Sequence, residues 1–250
     1  MADPRKDPMH KQAQYIILKL SGTLLRPDYF TSVLYPHARQ QMYLFLRRNW
    51  CHPTVAAARE RFARDQGAES FEEWMGGPGL PPEYAYERFR EVILRQLIEQ
   101  LYGEPLPMLL GLLWEEQLKA GLIEGIVVPE SNVLLHSWSK SGRKIAFFSP
   151  SHAALERLIT QYNEHENLAR MCDCHIGSEL GSAVDPVTYR QIAEKLQIKP
   201  QQMLYIANDA HSLVHAHESG CMTAWLAADA STNSPLPLHR INSLQEIVFA

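Results

Sequence analysis

Two hydrophobic patterns alternate along the chain. Tyr15-Ile16-Ile17-Leu18 is an unbroken apolar run that passes into Lys19-Leu20-Ser21-Gly22-Thr23. Such a run predicts a strand buried on both faces that opens into a loop. From Phe30 the period changes. Phe30, Val33, Leu34 and Tyr35, then Met42, Leu44, Phe45 and Leu46, recur at helical spacing, with Pro36 in a first turn or at a kink. Residues 55–62 and 71–75 continue in this style, and the Gly- and Pro-rich stretch 76–82 is a loop. One amphipathic helix carries Phe89, Val92, Ile93, Leu97, Ile98 and Leu101, and another spans 106–120 before Gly121, so residues 28–125 read as helix with no strand signal.

Beyond Gly125 strands return. Apolar runs at 144–148, 172–176, 203–207 and 223–226 alternate with helices around Val133–Trp138, at 153–162, through Tyr189, Ile192 and Leu196, and at 212–219. Asp185 and Pro186 suit an N-cap and first helical position, and Gly220 a C-terminal cap. The alternation predicts an α/β fold with a parallel, doubly wound sheet. Residues 15–27 and 126–250 form this core, and 28–125 are inserted after strand one as an all-helical cap over the strand ends. The polar, Pro-broken residues 1–14 form a flexible lead-in without a secretory signal.

With 250 residues, 46% of them hydrophobic, the chain can bury a sizeable core. A net charge of −4 without a basic stripe excludes a nucleic-acid partner, and no apolar run approaches the ~20 residues that span a bilayer. Four irregularly spaced cysteines in apolar surroundings fit reduced thiols in a cytoplasmic protein. Cys172-Asp173-Cys174-His175 has poor zinc spacing, and His211, His215 and His217 lack a companion carboxylate motif and read as a solvated helix face. No metal or other cofactor is expected.

In open α/β sheets the chemistry lies at the carboxyl ends of the strands. Three such ends stand out: Lys19-Leu20-Ser21-Gly22-Thr23, Ser149-Pro150-Ser151 and Asn208-Asp209. A loop, Gly177-Ser178-Glu179-Leu180-Gly181-Ser182-Ala183, precedes the Asp185 helix. Elsewhere the chain carries Val33-Leu34-Tyr35-Pro36 with Arg39, and Gly111-Leu112-Leu113-Trp114-Glu115-Glu116 followed by Gly121, Gly125 and Val128-Pro129-Glu130. It also carries Ser219-Gly220 with Thr223. In these segments it resembles the haloacid-dehalogenase-like hydrolases and, more narrowly, the enolase-phosphatases (acireductone synthases) of methionine salvage.

The resemblance implies a Rossmann-like core with a helical cap, and a magnesium-dependent phosphatase site whose usual residues are replaced. Lys19 stands where the family has its nucleophilic, metal-binding Asp, and Ser21 where it has a Glu acid/base. Gly22, Thr23 and Ser149 match. Pro150 has no N–H to offer a phosphate. Ala183 falls at the phosphate-neutralising Lys, and Asn208 at the second metal-binding Asp, with Asp209 one place later. An ammonium cannot form the acyl-phosphate that a carboxylate forms, and it repels a divalent cation.

The expectation is therefore a pseudoenzyme in which Lys19 pairs with Asp209. If a small anion binds, Lys19, Gly22, Thr23, Ser149, Ser151 and Asp209 are its contacts; a protein partner is the other candidate. For Ser149, phosphate binding stands against capping of the following helix. The alternative function is an active, magnesium-using phosphatase or related hydrolase of methionine salvage, or a Lys19-dependent reaction on a carbonyl compound. Asp28 and Asp209 are the fallback nucleophiles.

Overall fold

The computed structural model describes residues 12–99, 105–123, 128, 131–149, 156, 159–161, 167–227 and 238–249. The chain divides into two compact units, Met1–Pro27 with Glu124–Ala250, and Asp28–Ile123.

The first unit is built on a parallel sheet. Its described strands are β1 (Tyr15–Lys19), β2 (Lys144–Phe148), β3 (Cys174–Ile176), β4 (Met203–Ala207), β5 (Met222–Leu226) and β6 (Arg240–Ile241), in the order β3-β2-β1-β4-β5-β6. β1 lies between β2 and β4, with Leu18 opposite both Phe147 and Ile206 and Lys19 opposite Phe148. The carboxyl ends of these three strands therefore meet at one place on the sheet edge. Tyr15 and Ile17 point into a core with Phe148, Tyr189 and Tyr205, while Ile16 and Leu18 are buried on the opposite face. Burial on both faces explains the continuous apolar runs.

Two expectations about strands need correction. β6 lies beyond the last predicted strand and is two residues long, too short for an apolar run to announce it. β3 starts at Cys174 rather than 172, because the Asp173 carboxylate takes the Ile145 N–H at 3.1 Å and breaks the ladder there.

The helices of this unit are α6 (Ser131–Lys140), α7 (Pro186–Lys195) and α8 (Ala210–Glu218). Helices α1 to α5 belong to the second unit. Asp185 caps α7 by accepting the Val187 N–H at 2.8 Å, and Pro186 occupies its first turn. Of the helix predicted at 153–162, residues 156 and 159–161 are described and are helical. Trp138 of α6 is fully buried, and its indole N–H donates to the Ile247 carbonyl at 3.1 Å.

The described elements of the second unit are all helical: α1 (Tyr35–Asn49), α2 (Pro53–Asp65), α3 (Phe71–Met75), α4 (Pro82–Glu99) and α5 (Pro105–Lys119). A π-helical turn, Phe30–Leu34, leads into α1. The Tyr35 N–H bonds the Phe30 carbonyl, five residues back, and Pro36 next to it has no N–H with which to continue a regular ladder. Trp114 is buried and donates to the Leu34 carbonyl at 3.3 Å. Arg59 stacks over Trp50, 3.9 Å from the ring centroid, beside Phe71 and Phe89.

Some apolar assignments fail in detail. Ile98 is 64% exposed, because the buried stripe of α4 is Phe89, Ile93 and Leu97 at intervals of four, and Ile98 lies one residue round from it. Leu44 and Val133 are likewise on outer faces. Cys51 is exposed rather than set in apolar surroundings, and the four thiols are free. Leu101 lies outside the described residues.

Candidate functional site

The site is assembled from the ends of β1, β2 and β4 and the first turn of α8. Lys19 ends β1 with its ammonium bonded to the Asp209 carboxylate. Asp209 is also the N-cap of α8. It accepts the Ser212 N–H at 2.8 Å through Oδ1 and the Ser212 hydroxyl at 2.8 Å through Oδ2. Burial alone would raise the Asp209 carboxyl, but the Lys19 ammonium and the two Ser212 donors outweigh it and hold the group below its usual range.

Behind this pair lies a chain of hydroxyls. Tyr205 donates to the Ser212 hydroxyl at 3.2 Å, and Tyr189 donates to the Ser212 carbonyl at 3.0 Å and the Ala183 carbonyl at 2.7 Å. Burial pushes both phenols above their ordinary range, so they remain donors throughout the working pH range.

Ser149, at the end of β2, has a partner that neither expectation included. Its hydroxyl is buried and donates to the Glu156 carboxyl. Glu156 is itself buried, and desolvation pushes it up to about 7, against the pull of the Ser149 hydroxyl and the Lys19 charge. Sequence reasoning missed this residue. The signal was present: Glu156 shares a helical stripe with Ile159 and Thr160, both fully buried, so an acid stands on an inward face.

The loop after β1 is a closed turn. The Gly22 N–H bonds the Leu25 carbonyl at 2.8 Å, and the Leu25 N–H bonds the Leu20 carbonyl at 3.0 Å. Ser21 forms a bridge with Leu25, and the buried Thr23 hydroxyl donates back to the Lys19 carbonyl. Gly22 has φ of +84°, and a Cβ there would run into the Asn208 carboxamide. The Asn208 side chain thus packs on the Gly22 backbone. Gly22→Ala is expected to cost about 1–3 kcal/mol in denaturant unfolding. The cost in an Asn208→Ala background should be smaller, and equal costs in both would overturn this packing account.

Lys19, Asp209, Ser149 and Glu156 therefore gather at one sheet edge. Ala183 is buried, and the Tyr189 hydroxyl bonds its carbonyl. Pro150 and Ser151 lie outside the described residues. His215 Nδ1 meets Glu218 Oε2 at 3.2 Å, while His211 and His217 are exposed. Among the described residues no group of three or more His, Cys, Asp or Glu could hold a metal ion.

The chain is 24% identical to enolase-phosphatase E1 of Pseudomonas fluorescens over 214 residues, covering 86% of this chain and 88% of that protein. It is 26% identical to enolase-phosphatase E1 of Drosophila virilis over 216 residues, covering 86% and 85%. The Unknown transcript 4 protein of Saccharomyces cerevisiae matches the fold with a TM-score of 0.74 at 14% identity, covering 94% of this chain and all of that one. A HAD phosphatase from Thermococcus onnurineus matches with a TM-score of 0.55 at 16% identity, covering 93% and 95%. No family model matches the chain. The fold is the Rossmann-like fold of the haloacid-dehalogenase type, and the chain is similar over most of its length to enolase-phosphatases.

Proposed function

We propose that this chain is a catalytically silent or strongly impaired homologue of the enolase-phosphatases, a cytoplasmic pseudoenzyme in which internal ion pairing replaces the phosphoryl-transfer site. The observation that carries the reading is the bond between the Lys19 ammonium and the Asp209 carboxylate. On the resemblance, Lys19 stands at the nucleophile. An ammonium held in an ion pair neither attacks a phosphorus centre nor binds a divalent cation.

The remaining geometry supports the same reading. Asn208, neutral and packed on Gly22, is a weak magnesium ligand, and the Lys19 charge stands where a second carboxylate would be needed. These residues do not fit magnesium. The Ser149 hydroxyl, which would bind a phosphoryl oxygen, is taken by Glu156. Buried Ala183 supplies no cation. A transferring phosphoryl group would find little compensation for its charge. A small anion reaching Lys19 would share its ammonium with Asp209. No described helix is long and apolar enough to cross a membrane.

The test is phosphate release with magnesium, from an aryl phosphate and from 2,3-diketo-5-methylthiopentyl-1-phosphate. The native chain is run beside a chain carrying Lys19→Asp, Ser21→Glu, Ala183→Lys and Asn208→Asp. The expected result is background release by the native chain and release above it by the variant. Metal-dependent turnover by the purified native chain would end the pseudoenzyme reading.

A further inference from the structure

Gly22, Thr23 and Asn208 of the site above also line a cleft whose remaining walls that site does not use. A cavity of about 360 Å³ opens between the ends of β1, β4 and β5, within the size range of small-molecule pockets. A second cavity of about 160 Å³ adjoins it at the start of α6, and the two share Thr23, Val128, Leu226 and Asn242. The walls are mostly aliphatic, with Trp225, itself buried, at one side.

The polar groups on these walls are almost all neutral. Asn208 and Asn242 line the larger cavity, Ser131 and Gln245 the smaller, and among the described residues no carboxylate, lysine or histidine lines either. The one ionisable lining residue, Arg26, is exposed and has a partner of its own. Ser131 is 2% exposed, and its hydroxyl has no hydrogen-bond partner. An unpartnered buried hydroxyl is costly, so a molecule that brings a carbonyl to it gains more than one bond's ordinary contribution.

We propose that this cleft binds a small, largely apolar molecule ending in an uncharged hydrogen-bonding group of the carboxamide or ketone type, with its carbonyl on Ser131. Neutral dipoles complement a neutral end. A carboxylate or ammonium seated at Ser131 would lose its water and find no counter-charge among the residues described there, since Arg26 lines only the larger cavity.

The test is a titration of the whole ¹⁵N-labelled chain with hexanamide, followed by NMR at the Trp225 indole and the Leu226 and Ala227 amides. Hexanoate and hexylamine serve as charged isosteres. The expected result is a saturable shift with hexanamide and binding at least tenfold weaker for both isosteres. Ser131→Ala should weaken hexanamide about fivefold or more, while the free variant melts at the same temperature as the native chain or above it. A purely structural serine would lower the melting temperature and leave the affinity alone. Asn242→Phe, at an exposed position on the stretch the two cavities share, should abolish the shifts without changing the melting temperature. Non-saturating shifts, shifts that survive Asn242→Phe, or equal binding of either isostere would overturn the proposal.

Discussion

Glu156→Gln is expected to stabilise the chain at pH 8 by about 1–3 kcal/mol and to flatten its stability between pH 5 and 7. The Glu156 carboxyl is buried, and desolvation raises it from 4.5 to about 7 in the folded chain. Between those values the folded chain retains a proton that the unfolded chain has released. Proton uptake then accompanies folding, and stability falls as pH rises. The contribution is whole below about 4.5, is lost through the folded value near 7, and is constant above it. The interval corresponds to on the order of 3 kcal/mol at most. Glutamine keeps an oxygen to accept the Ser149 hydroxyl and removes the titration. Urea unfolding of both chains at pH 5, 6, 7 and 8 measures the effect. The same slope in both would show that Glu156 does not carry it.

Asp209→Ala is expected to cost about 2–4 kcal/mol at pH 7, from three losses at one residue. The helix α8 loses its N-cap, worth ~1 kcal/mol. The Ser212 hydroxyl loses its 2.8 Å acceptor. Lys19 loses its ion partner, a term that solvent screening limits to about 1 kcal/mol because the two side chains are 20% and 34% exposed. Asp209→Asn retains an oxygen for the cap and should cost roughly half as much. The carboxyl lies below its usual 3.8 in the folded chain, so its contribution is present above that value and is lost as pH falls through the folded one. Denaturant unfolding at pH 7 and pH 3 should therefore separate native from Asp209→Ala more widely at the first than at the second. A constant gap would overturn the assignment.

The core strands were legible because burial on both faces writes itself as an uninterrupted apolar run, as in 144–148 and 203–207. β6 was not, because Arg240–Ile241 is held by pairing with Trp225 and Leu226 rather than by a pattern of its own. The Lys19–Asp209 contact could be anticipated, since a lysine at a strand end needs an opposite charge near it and only one neighbouring strand end offered a carboxylate. The partner of Ser149 could not be read the same way. Glu156 is seven residues away in the chain, and no sequence pattern ties its carboxyl to the Ser149 hydroxyl. Tyr189, Tyr205 and Ser212 were invisible for a similar reason: each belongs to an ordinary buried stripe, and their hydroxyls converge only in three dimensions.

The packing of Asn208 on Gly22 also bears on how this sequence can change. A single Asn208→Asp step would place a second carboxylate beside Asp209, with only one ammonium to balance both. A single Lys19→Asp step would set like charges face to face. Either replacement alone is worse than the present arrangement, and the deficit is relieved only when a cation arrives or the other positions change together. The charges at this strand edge are thus interlocked: a carboxylate introduced at position 19 or 208 is tolerated best together with a second change that adds positive charge.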